Sequence, residues 1–223
     1  MISVVCVLKS GGIYNTTYVK ALARGIKVNS TLPYKFWCMT DTPFKFPGVN
    51  ILSLRLNLPG WWSKVEVWNP SLAGILGRAL YIDLDTLVTG NIDNILGYDG
   101  DLCLQRDFAF LDCPSIPIVN FAPKAMKPVW DVFHKDPERW MREGDKCIAP
   151  HFGDQILVSK ALKVPLECDY WQDILAGEIV SYRFECRNHL PPEARLVSCH
   201  GLPKPHEIKE PWFRQLWLKY SKE

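Results

Sequence analysis

An apolar run that ends in two aspartates marks the centre of the predicted fold: residues 79–88 read ALYIDLDTLV. The run Ala79–Ile82 predicts a buried strand. Alternate residues of an extended chain point to the same side, so Asp83 and Asp85 can share one ligand. They lie at the carboxyl end of the strand, where α/β sheets place their ligands. Two close carboxylates repel each other unless a cation lies between them, so the pair predicts a site for a divalent ion.

Segments on both sides of this strand predict an α/β domain with a central, mostly parallel sheet. Ser3–Leu8 is a continuous apolar run before a Lys-Ser-Gly-Gly turn, as expected of a buried parallel strand. Residues 19–26 then place apolar side chains on one helical face, and a strand–helix–strand opening implies right-handed crossovers. The other predicted strands are Tyr34–Met39, Val49–Leu54, Asp101–Leu104, Ile116–Phe121 and Glu193–Cys199, and the other predicted helices are Asn91–Leu96, Lys124–His134, Asp154–Leu162 and Pro211–Tyr220.

The composition is that of an ordinary globular domain. The chain has 223 residues, of which 48% are hydrophobic and 22% charged, and this balance excludes a disordered protein. The net charge of +2 argues against nucleic-acid binding driven by bulk charge. We expect one domain over residues 1–205, with residues 206–223 forming a basic, aromatic helix packed on it. Such a helix can also rest on an anionic membrane surface, so a peripheral membrane contact stays open.

The N-terminus and the cysteines predict a cytoplasmic protein. The first apolar run spans only Ile2–Leu8, has no basic segment before it and lacks a small-residue cleavage site, unlike a signal peptide. No apolar run approaches the roughly 18 residues of a membrane span. The eight cysteines are scattered without a Cys-x-x-Cys pair, which is typical of reduced thiols in a cytosolic chain. Their even number leaves a secreted, disulfide-bonded protein as the alternative.

A second group of candidate site residues lies late in the chain, where residues 197–205 read VSCHGLPKP. Together with the aspartate pair, this segment resembles the glycogenin-like and lipopolysaccharide galactosyltransferase-like enzymes, which are glycosyltransferase family 8 and its relatives. The resemblance implies that His200 joins Asp83 and Asp85 in binding Mn²⁺ (or Mg²⁺), and that Lys204 contacts the diphosphate. An imidazole added to two carboxylates favours Mn²⁺ over Mg²⁺. The spacing from His200 to Lys204 is shorter than the commoner family spacing, so the loop between them must be tighter.

Other segments resemble further elements of the same family. Residues 151–157 read HFGDQIL, and the resemblance places Asp154 and Gln155 beside the anomeric carbon as the catalytic residues. A carboxylate or amide there can stabilise an oxocarbenium ion or orient the acceptor hydroxyl. Lys64, which precedes the aspartate strand, would lie over the phosphates of the donor. The resemblance also implies that nucleotide and donor sugar contact Leu8, Lys9, Tyr14, Asp41, Leu84 and Asp107.

The resemblance implies a GT-A fold, which is the Rossmann-like fold of nucleotide-diphospho-sugar transferases. It implies transfer of a hexose or deoxyhexose from a UDP-sugar to a hydroxyl of a glycan, glycolipid or glycoprotein acceptor. The metal ion, Lys204 and Lys64 would neutralise the charge that builds on the departing diphosphate. Retention of anomeric configuration is expected; for an inverting enzyme, Asp154 is the candidate general base.

Two other functions stay open. The string Asp-Leu-Asp-Thr also fits the haloacid-dehalogenase-like phosphatases, which would use Asp83 as a nucleophile. That motif normally sits on the first strand, whereas here a long α/β pattern precedes it, and Gly153-Asp154 lacks a second acid at a suitable distance. A catalytically inactive nucleotide-sugar-binding module is the third possibility. Nothing in the sequence recommends it, because every metal and phosphate position holds a competent residue.

Overall fold

A central sheet of seven strands organises the computed structural model, which describes residues 1–147, 153–162 and 168–222. The order of its strands is β3-β2-β1-β4-β7-β6-β8 when strands are numbered along the chain. The strands in the described residues are β1 (Ile2–Leu8), β2 (Tyr34–Thr40), β3 (Val49–Ser53), β4 (Ala79–Ile82), β5 (Thr86–Val88), β6 (Leu102–Arg106), β7 (Pro114–Phe121), β8 (Asp169–Tyr170), β9 (Ile179–Ser181) and β10 (Leu196–Ser198).

Most neighbouring strands of the central sheet run parallel. β1 pairs in parallel with β2 and β4, β2 with β3, and β6 with β8, whereas β7 runs antiparallel to both of its neighbours. The predicted α/β architecture with a mostly parallel sheet is thereby confirmed. The predicted strand Ala79–Ile82 is β4, which lies beside β1 in the middle of the sheet. The carboxyl ends of β1 and β4 therefore open at the same edge.

A small second sheet brings the late part of the chain to the aspartate pair. It has the order β5-β10-β9, and β10 runs antiparallel to β5 with Ser198 opposite Thr86. The backbone N–H of Cys199 then donates to the carbonyl oxygen of Asp85 at 2.9 Å. Because β5 begins directly after Asp85, this pairing fixes residues 199 and 200 beside the end of β4.

Eight α-helices lie in the described parts of the chain. The side-chain oxygen of Asn15 accepts the backbone N–H of Thr17 and thereby caps α1. Three shorter segments are not α-helical: the 3₁₀ helices Gly60–Trp68 and Pro70–Leu72 and the π-helical turn Tyr182–Cys186. The α-helices are α1 (Thr16–Val28), α2 (Ala73–Leu76), α3 (Asp93–Leu96), α4 (Lys127–Lys135), α5 (Pro137–Lys146), α6 (Asp154–Ala161), α7 (Trp171–Ile174) and α8 (Pro211–Ser221).

Alternating side chains of β1 separate two hydrophobic cores, one on each face of the sheet. Val4, Cys6 and Leu8 point into one core, and Val5 points into the other. The first core also contains the buried face of α1, and the second contains Trp62 from the 3₁₀ helix Gly60–Trp68. This 3₁₀ helix is held against the sheet on the side where the carboxyl ends of β1 and β4 meet.

The C-terminal helix α8 packs on α1. Its side chains Phe213, Trp217 and Tyr220 are buried, and the Trp217 ring lies 4.9 Å from that of Tyr18. The side-chain amide of Asn29 donates to the Tyr220 hydroxyl at 3.0 Å. The aromatic face of the predicted helix thus belongs to the core, while its basic side chains remain exposed.

Several elements escaped sequence analysis because they are short or lack an apolar period. They are β5, β8, β9, α2, α7, the three segments that are not α-helical, and α5, which has only two buried residues, Trp140 and Gly144. The predicted helix 124–134 begins at Lys127, since the chain turns over residues 122–126.

All eight cysteines carry free thiols. No helix in the part of the chain that the structure describes has the length and apolar character needed to cross a bilayer.

Candidate active site

A cavity of about 470 Å³ opens where β1 and β4 end. Its walls come from the turn after β1, the 3₁₀ helix Gly60–Trp68, the end of β4 and the loop after β10. Parallel strands end at the same edge of a sheet, so these segments meet there although they are far apart in the sequence. The predicted site residues that line the cavity are Lys9, Tyr14, Lys64, Asp83, Leu84, Asp85 and Lys204.

The carboxylate of Asp85 is held by two donors from distant segments. Nζ of Lys204 donates to Oδ2 of Asp85 at 2.6 Å, and the hydroxyl of Tyr14 donates to the same oxygen at 2.8 Å. Burial and the nearby Asp85 carboxylate raise the pKa of Tyr14, so its hydroxyl keeps its proton. Lys204 and Tyr14 were predicted to contact the donor nucleotide. In the structure both side chains donate to the carboxylate of Asp85.

The carboxylate of Asp83 has a different set of partners. The hydroxyl of Tyr81 donates to Oδ1, and Nζ of Lys64 lies 3.6 Å from Oδ2. Burial raises the pKa of Asp83 to about 6; the Lys64 ammonium opposes this rise and the Asp85 carboxylate adds to it. Tyr81 is a site residue that sequence analysis missed. The available signal was its position two residues before Asp83, which places both side chains on the same side of an extended chain.

Lys64 joins Asp83 to a third carboxylate, that of Asp154. Nζ of Lys64 lies 3.1 Å from Oδ2 of Asp154, and both side chains are buried. Although burial disfavours the charged ammonium, the carboxylates of Asp154 and Asp83 raise the pKa of Lys64. Burial raises the pKa of Asp154, and the Lys64 cation opposes that rise. The predicted phosphate-binding lysine, which lines the cavity, and the predicted catalytic acid, which does not, therefore form one ion pair.

Close packing positions Asp154 at the start of α6. Gly153 has a φ of 62°, and a Cβ added there would lie 2.9 Å from Nε1 of Trp61, so only glycine fits without strain. The side-chain amide of Gln155 donates to the Ser115 hydroxyl at 3.0 Å. Asp154 and Gln155 are thus adjacent to the cavity rather than in its lining. His151 and Phe152, which belong to the same sequence match, lie outside the described residues.

The turn after β1 is fixed by Asp41. Its carboxylate accepts the Lys9 ammonium, the Ser10 backbone N–H at 2.9 Å and the Ser10 hydroxyl at 2.7 Å. Although burial favours the neutral acid, the hydrogen bonds from Lys9 and Ser10 lower the pKa of Asp41. Asp41 lies behind Lys9 and is not in the cavity lining, whereas Lys9 is. Leu8 is also absent from the lining because its side chain packs in the core, and Val7 takes that place.

Asp107 stabilises the loop that follows β6. Its Oδ1 accepts the backbone N–H groups of Ala109 at 2.8 Å and Phe110 at 3.0 Å. The cavity lining does not include it. The predicted contact between Asp107 and the donor sugar therefore stays a prediction.

His200 lies beside the aspartate pair in the backbone, but its imidazole contacts other groups. Nε2 lies 2.7 Å from the Ser181 hydroxyl, and the ring stacks on Phe108 with centroids 5.3 Å apart. Burial and the Arg183 cation lower the pKa of His200. Among the described residues, no three His, Cys, Asp or Glu side chains lie close enough together to hold a metal ion. The structure thus gathers Asp83 and Asp85 without His200, whose role as a ligand stays a prediction.

Comparison with solved structures identifies the fold. No family model matches the chain, and no curated protein matches it. Among solved structures, the glycosyltransferase GlyE of Streptococcus pneumoniae TIGR4 aligns with a TM-score of 0.67 and 14% identity, over 100% of this chain and 61% of GlyE. The galactosyltransferase LgtC, solved with donor and acceptor sugar analogs, aligns with a TM-score of 0.67 and 12% identity, over 100% of this chain and 97% of LgtC. The chain has a GT-A glycosyltransferase fold.

A third structure extends the comparison to a longer protein. The bifunctional glycosyltransferase WbbM aligns with a TM-score of 0.64 and 11% identity, over 100% of this chain and 50% of WbbM. The chain spans about three fifths of GlyE and half of WbbM. The predicted GT-A fold is confirmed, and at these identities the comparisons concern the fold alone.

The aspartate pair of this GT-A fold suits a divalent cation in its chemistry. Both carboxylates line the cavity, and each already lies near a lysine ammonium, so the site holds positive charge at both aspartates. Carboxylate oxygens are the ligands that Mg²⁺ and Mn²⁺ prefer. The residues present therefore fit such an ion at Asp83 and Asp85.

Proposed function

We propose that this protein is a metal-dependent glycosyltransferase that moves a hexose or deoxyhexose from a UDP-sugar to a hydroxyl of a glycan, glycolipid or glycoprotein. One observation carries the proposal. A GT-A fold places Asp83 and Asp85 in a cavity with Lys64 and Lys204, at the carboxyl ends of β1 and β4. A site with two acids and two cations suits a ligand that brings both a metal ion and a diphosphate.

The acidic residues of the site would bind the metal ion, and the basic residues would bind the diphosphate. Asp83 and Asp85 would hold Mn²⁺ (or Mg²⁺), which when bound neutralises charge on phosphate oxygens as a Lewis acid. Lys64 and Lys204 add positive charge from largely buried side chains, where it acts more strongly than in bulk water. Tyr14 and Tyr81 keep the two carboxylates oriented through their hydroxyl groups. Lys9, at the end of β1, would meet the nucleoside.

The burial of Asp154 favours retention of anomeric configuration over inversion. A general base must come within hydrogen-bond reach of the proton that it removes. Asp154 is only 4% exposed, its carboxylate lies on Lys64, and it does not line the cavity in which an acceptor would bind. Gln155 keeps its side-chain oxygen available, because its amide N–H is the group that binds Ser115. We propose that Asp154 positions Lys64 and that Gln155 faces the reacting sugar.

The exposed basic side chains at the C-terminal helix α8 support a proposed peripheral contact with a membrane. Arg214, Lys219 and Lys222 are exposed, whereas the aromatic side chains of the helix pack inward. A peripheral contact with an anionic membrane would rest on these charges and not on inserted tryptophans. Such a contact would suit a lipid-linked acceptor on the cytoplasmic face.

The test is release of UDP from a panel of UDP-sugars in the presence of Mn²⁺, together with thermal stabilisation by UDP and Mn²⁺. We expect turnover with at least one donor, and loss of both turnover and UDP stabilisation in Asp85→Ala. Asp131→Asn, which removes a charge from an exposed ion pair on α4, is the matched control and should behave like the wild type.

Other outcomes would identify the alternative functions. UDP binding without turnover of any donor would indicate a nucleotide-sugar-binding module. Hydrolysis of p-nitrophenyl phosphate that disappears in Asp83→Asn would indicate the phosphatase. Undiminished transfer by Asp85→Ala would contradict the assignment of the site.

A further inference from the structure

Lys204 occupies a cation position at Asp85. Its Nζ lies 2.6 Å from Oδ2 of Asp85 and 5.4 Å from the centroid of the Tyr14 ring. The side chains of Lys204 and Asp85 are only 12% and 10% exposed, so the contact is largely shielded from water. A charge-assisted hydrogen bond of this kind is among the stronger polar contacts in proteins.

The same carboxylate is the one that a divalent cation would need. Mg²⁺ binds carboxylate oxygens at about 2.1 Å, and an ammonium that already donates to Oδ2 of Asp85 repels a second cation at that oxygen. The hydroxyl of Tyr14 also donates to Oδ2, so this oxygen has no spare capacity for an ion. A metal ion can therefore bind Oδ2 of Asp85 only when Lys204 has moved away, and at Oδ1 it would face the repulsion of the same ammonium.

The loop allows Lys204 to move its side chain without moving its backbone. The backbone N–H of Lys204 donates to the Glu207 carboxylate at 2.7 Å, which fixes the main chain. The side chain has a flexible four-carbon stem, and Nζ faces a cavity large enough for a nucleotide. A diphosphate in that cavity is an anionic partner that can replace Asp85.

We propose that Lys204 is the resting counter-ion of Asp85 and makes divalent-cation binding conditional on the diphosphate. This inference rests on the proposed function of the same site. Without nucleotide, the ammonium competes with the metal ion for Asp85. With nucleotide, Lys204 transfers to the diphosphate and Asp85 becomes free for the ion. Linkage requires the effect to be reciprocal, so Mn²⁺ should tighten UDP binding by the factor by which UDP tightens Mn²⁺ binding.

The experiment measures Mn²⁺ binding to the whole chain by electron paramagnetic resonance, with and without UDP. Without UDP, Lys204→Met should bind Mn²⁺ about tenfold more tightly than the wild type, as expected from the loss of one competing charge-assisted contact. Lys204→Arg keeps the positive charge and should retain weak binding. Lys209→Met removes an equal charge from an exposed position and should match the wild type. UDP should tighten Mn²⁺ binding by a larger factor in the wild type than in Lys204→Met.

Circular dichroism and thermal unfolding establish that each variant is folded. If Lys204→Met fails to fold, Lys204→Gln keeps a hydrogen-bond donor without the charge and carries the same expectation. Equal or weaker Mn²⁺ binding by the folded variant without UDP would overturn the counter-ion role of Lys204. The proposed function would survive that result if wild-type protein binds Mn²⁺ in the presence of UDP and Asp85→Asn does not. Absence of Mn²⁺ binding by the wild type even with UDP would overturn both.

Discussion

The ammonium of Lys64 lies 3.1 Å from a carboxylate oxygen of Asp154, and both side chains are buried. The first residue comes from a 3₁₀ helix before the aspartate strand and the second from the start of α6. Their contact joins two segments that are far apart in the sequence and meet beside the cavity. Since Lys64 also faces Asp83, this ion pair connects α6 to the proposed cation site.

The substitution Lys64→Met should lower both stability and transfer. It leaves the buried carboxylate of Asp154 without its cation, which costs about 3 kcal/mol in comparable buried pairs. Urea unfolding measures the loss of stability, and UDP release measures the loss of transfer. The double variant Lys64→Met/Asp154→Asn should recover stability but not transfer, because the unpaired charge is gone while the cation is still missing. A single variant as stable as the wild type would contradict the role of this ion pair.

The substitution Tyr81→Phe should weaken binding of UDP with Mn²⁺. The hydroxyl of Tyr81 donates to Asp83 and stabilises its charged form, so its removal makes that carboxyl easier to protonate. We expect a loss of about 1.5–3 kcal/mol in stability, as for other hydrogen bonds to a charged group. Tyr98→Phe is the matched control, because its hydroxyl donates to Asp169 at 2.7 Å outside the cavity. If both variants lowered UDP affinity equally, Tyr81 would have no special role at the site.

The stability that His200 contributes should fall at mildly acidic pH in metal-free buffer. Burial, with the Arg183 cation, lowers the pKa of His200 below the unfolded value of 6.5. The unfolded chain therefore binds a proton at this residue more readily, so the contribution is complete above about pH 6.5 and is lost as the pH falls. The gap in unfolding free energy between wild type and His200→Asn should shrink from about pH 7 to about pH 5. A constant gap over that range would contradict the neutral, half-buried imidazole.

The substitution Gly144→Ala should destabilise the protein, although alanine is the better helix former. A Cβ at Gly144 would lie 2.4 Å from the carbonyl oxygen of Gly153 and 2.6 Å from the Trp62 ring. Relief of these clashes must displace the start of α6, which carries Asp154. We expect a loss of about 1–3 kcal/mol and a reduced rate of transfer, measured by urea unfolding and UDP release. Gly74→Ala, at a helical glycine with open space around it, should leave transfer unchanged and should not lower stability, which can rise by up to about 1 kcal/mol.

Much of the fold could be predicted from local patterns. The apolar run Ala79–Ile82 is β4 with the same bounds, and Tyr34–Met39 and Val49–Leu54 match β2 and β3 to within one residue. Of these strands, β4 is buried along its whole length, so the sequence shows it as an unbroken apolar run. The strands β5, β8 and β9 have two or three residues each, which is too short for any periodic signal.

Local sequence is enough to place Asp83 and Asp85 at the end of a buried strand, because the apolar run Ala79–Ile82 stops at them; in the structure they lie in a turn rather than in extended chain. The partner of each charged group depends instead on how the whole chain folds. Lys204 binds Asp85, Lys64 lies between Asp83 and Asp154, and the imidazole of His200 turns to Ser181. These contacts depend on the distance between segments far apart in the chain and on how deeply their side chains are buried. Local sequence predicts neither quantity, because both arise only when the sheet brings those segments to one edge.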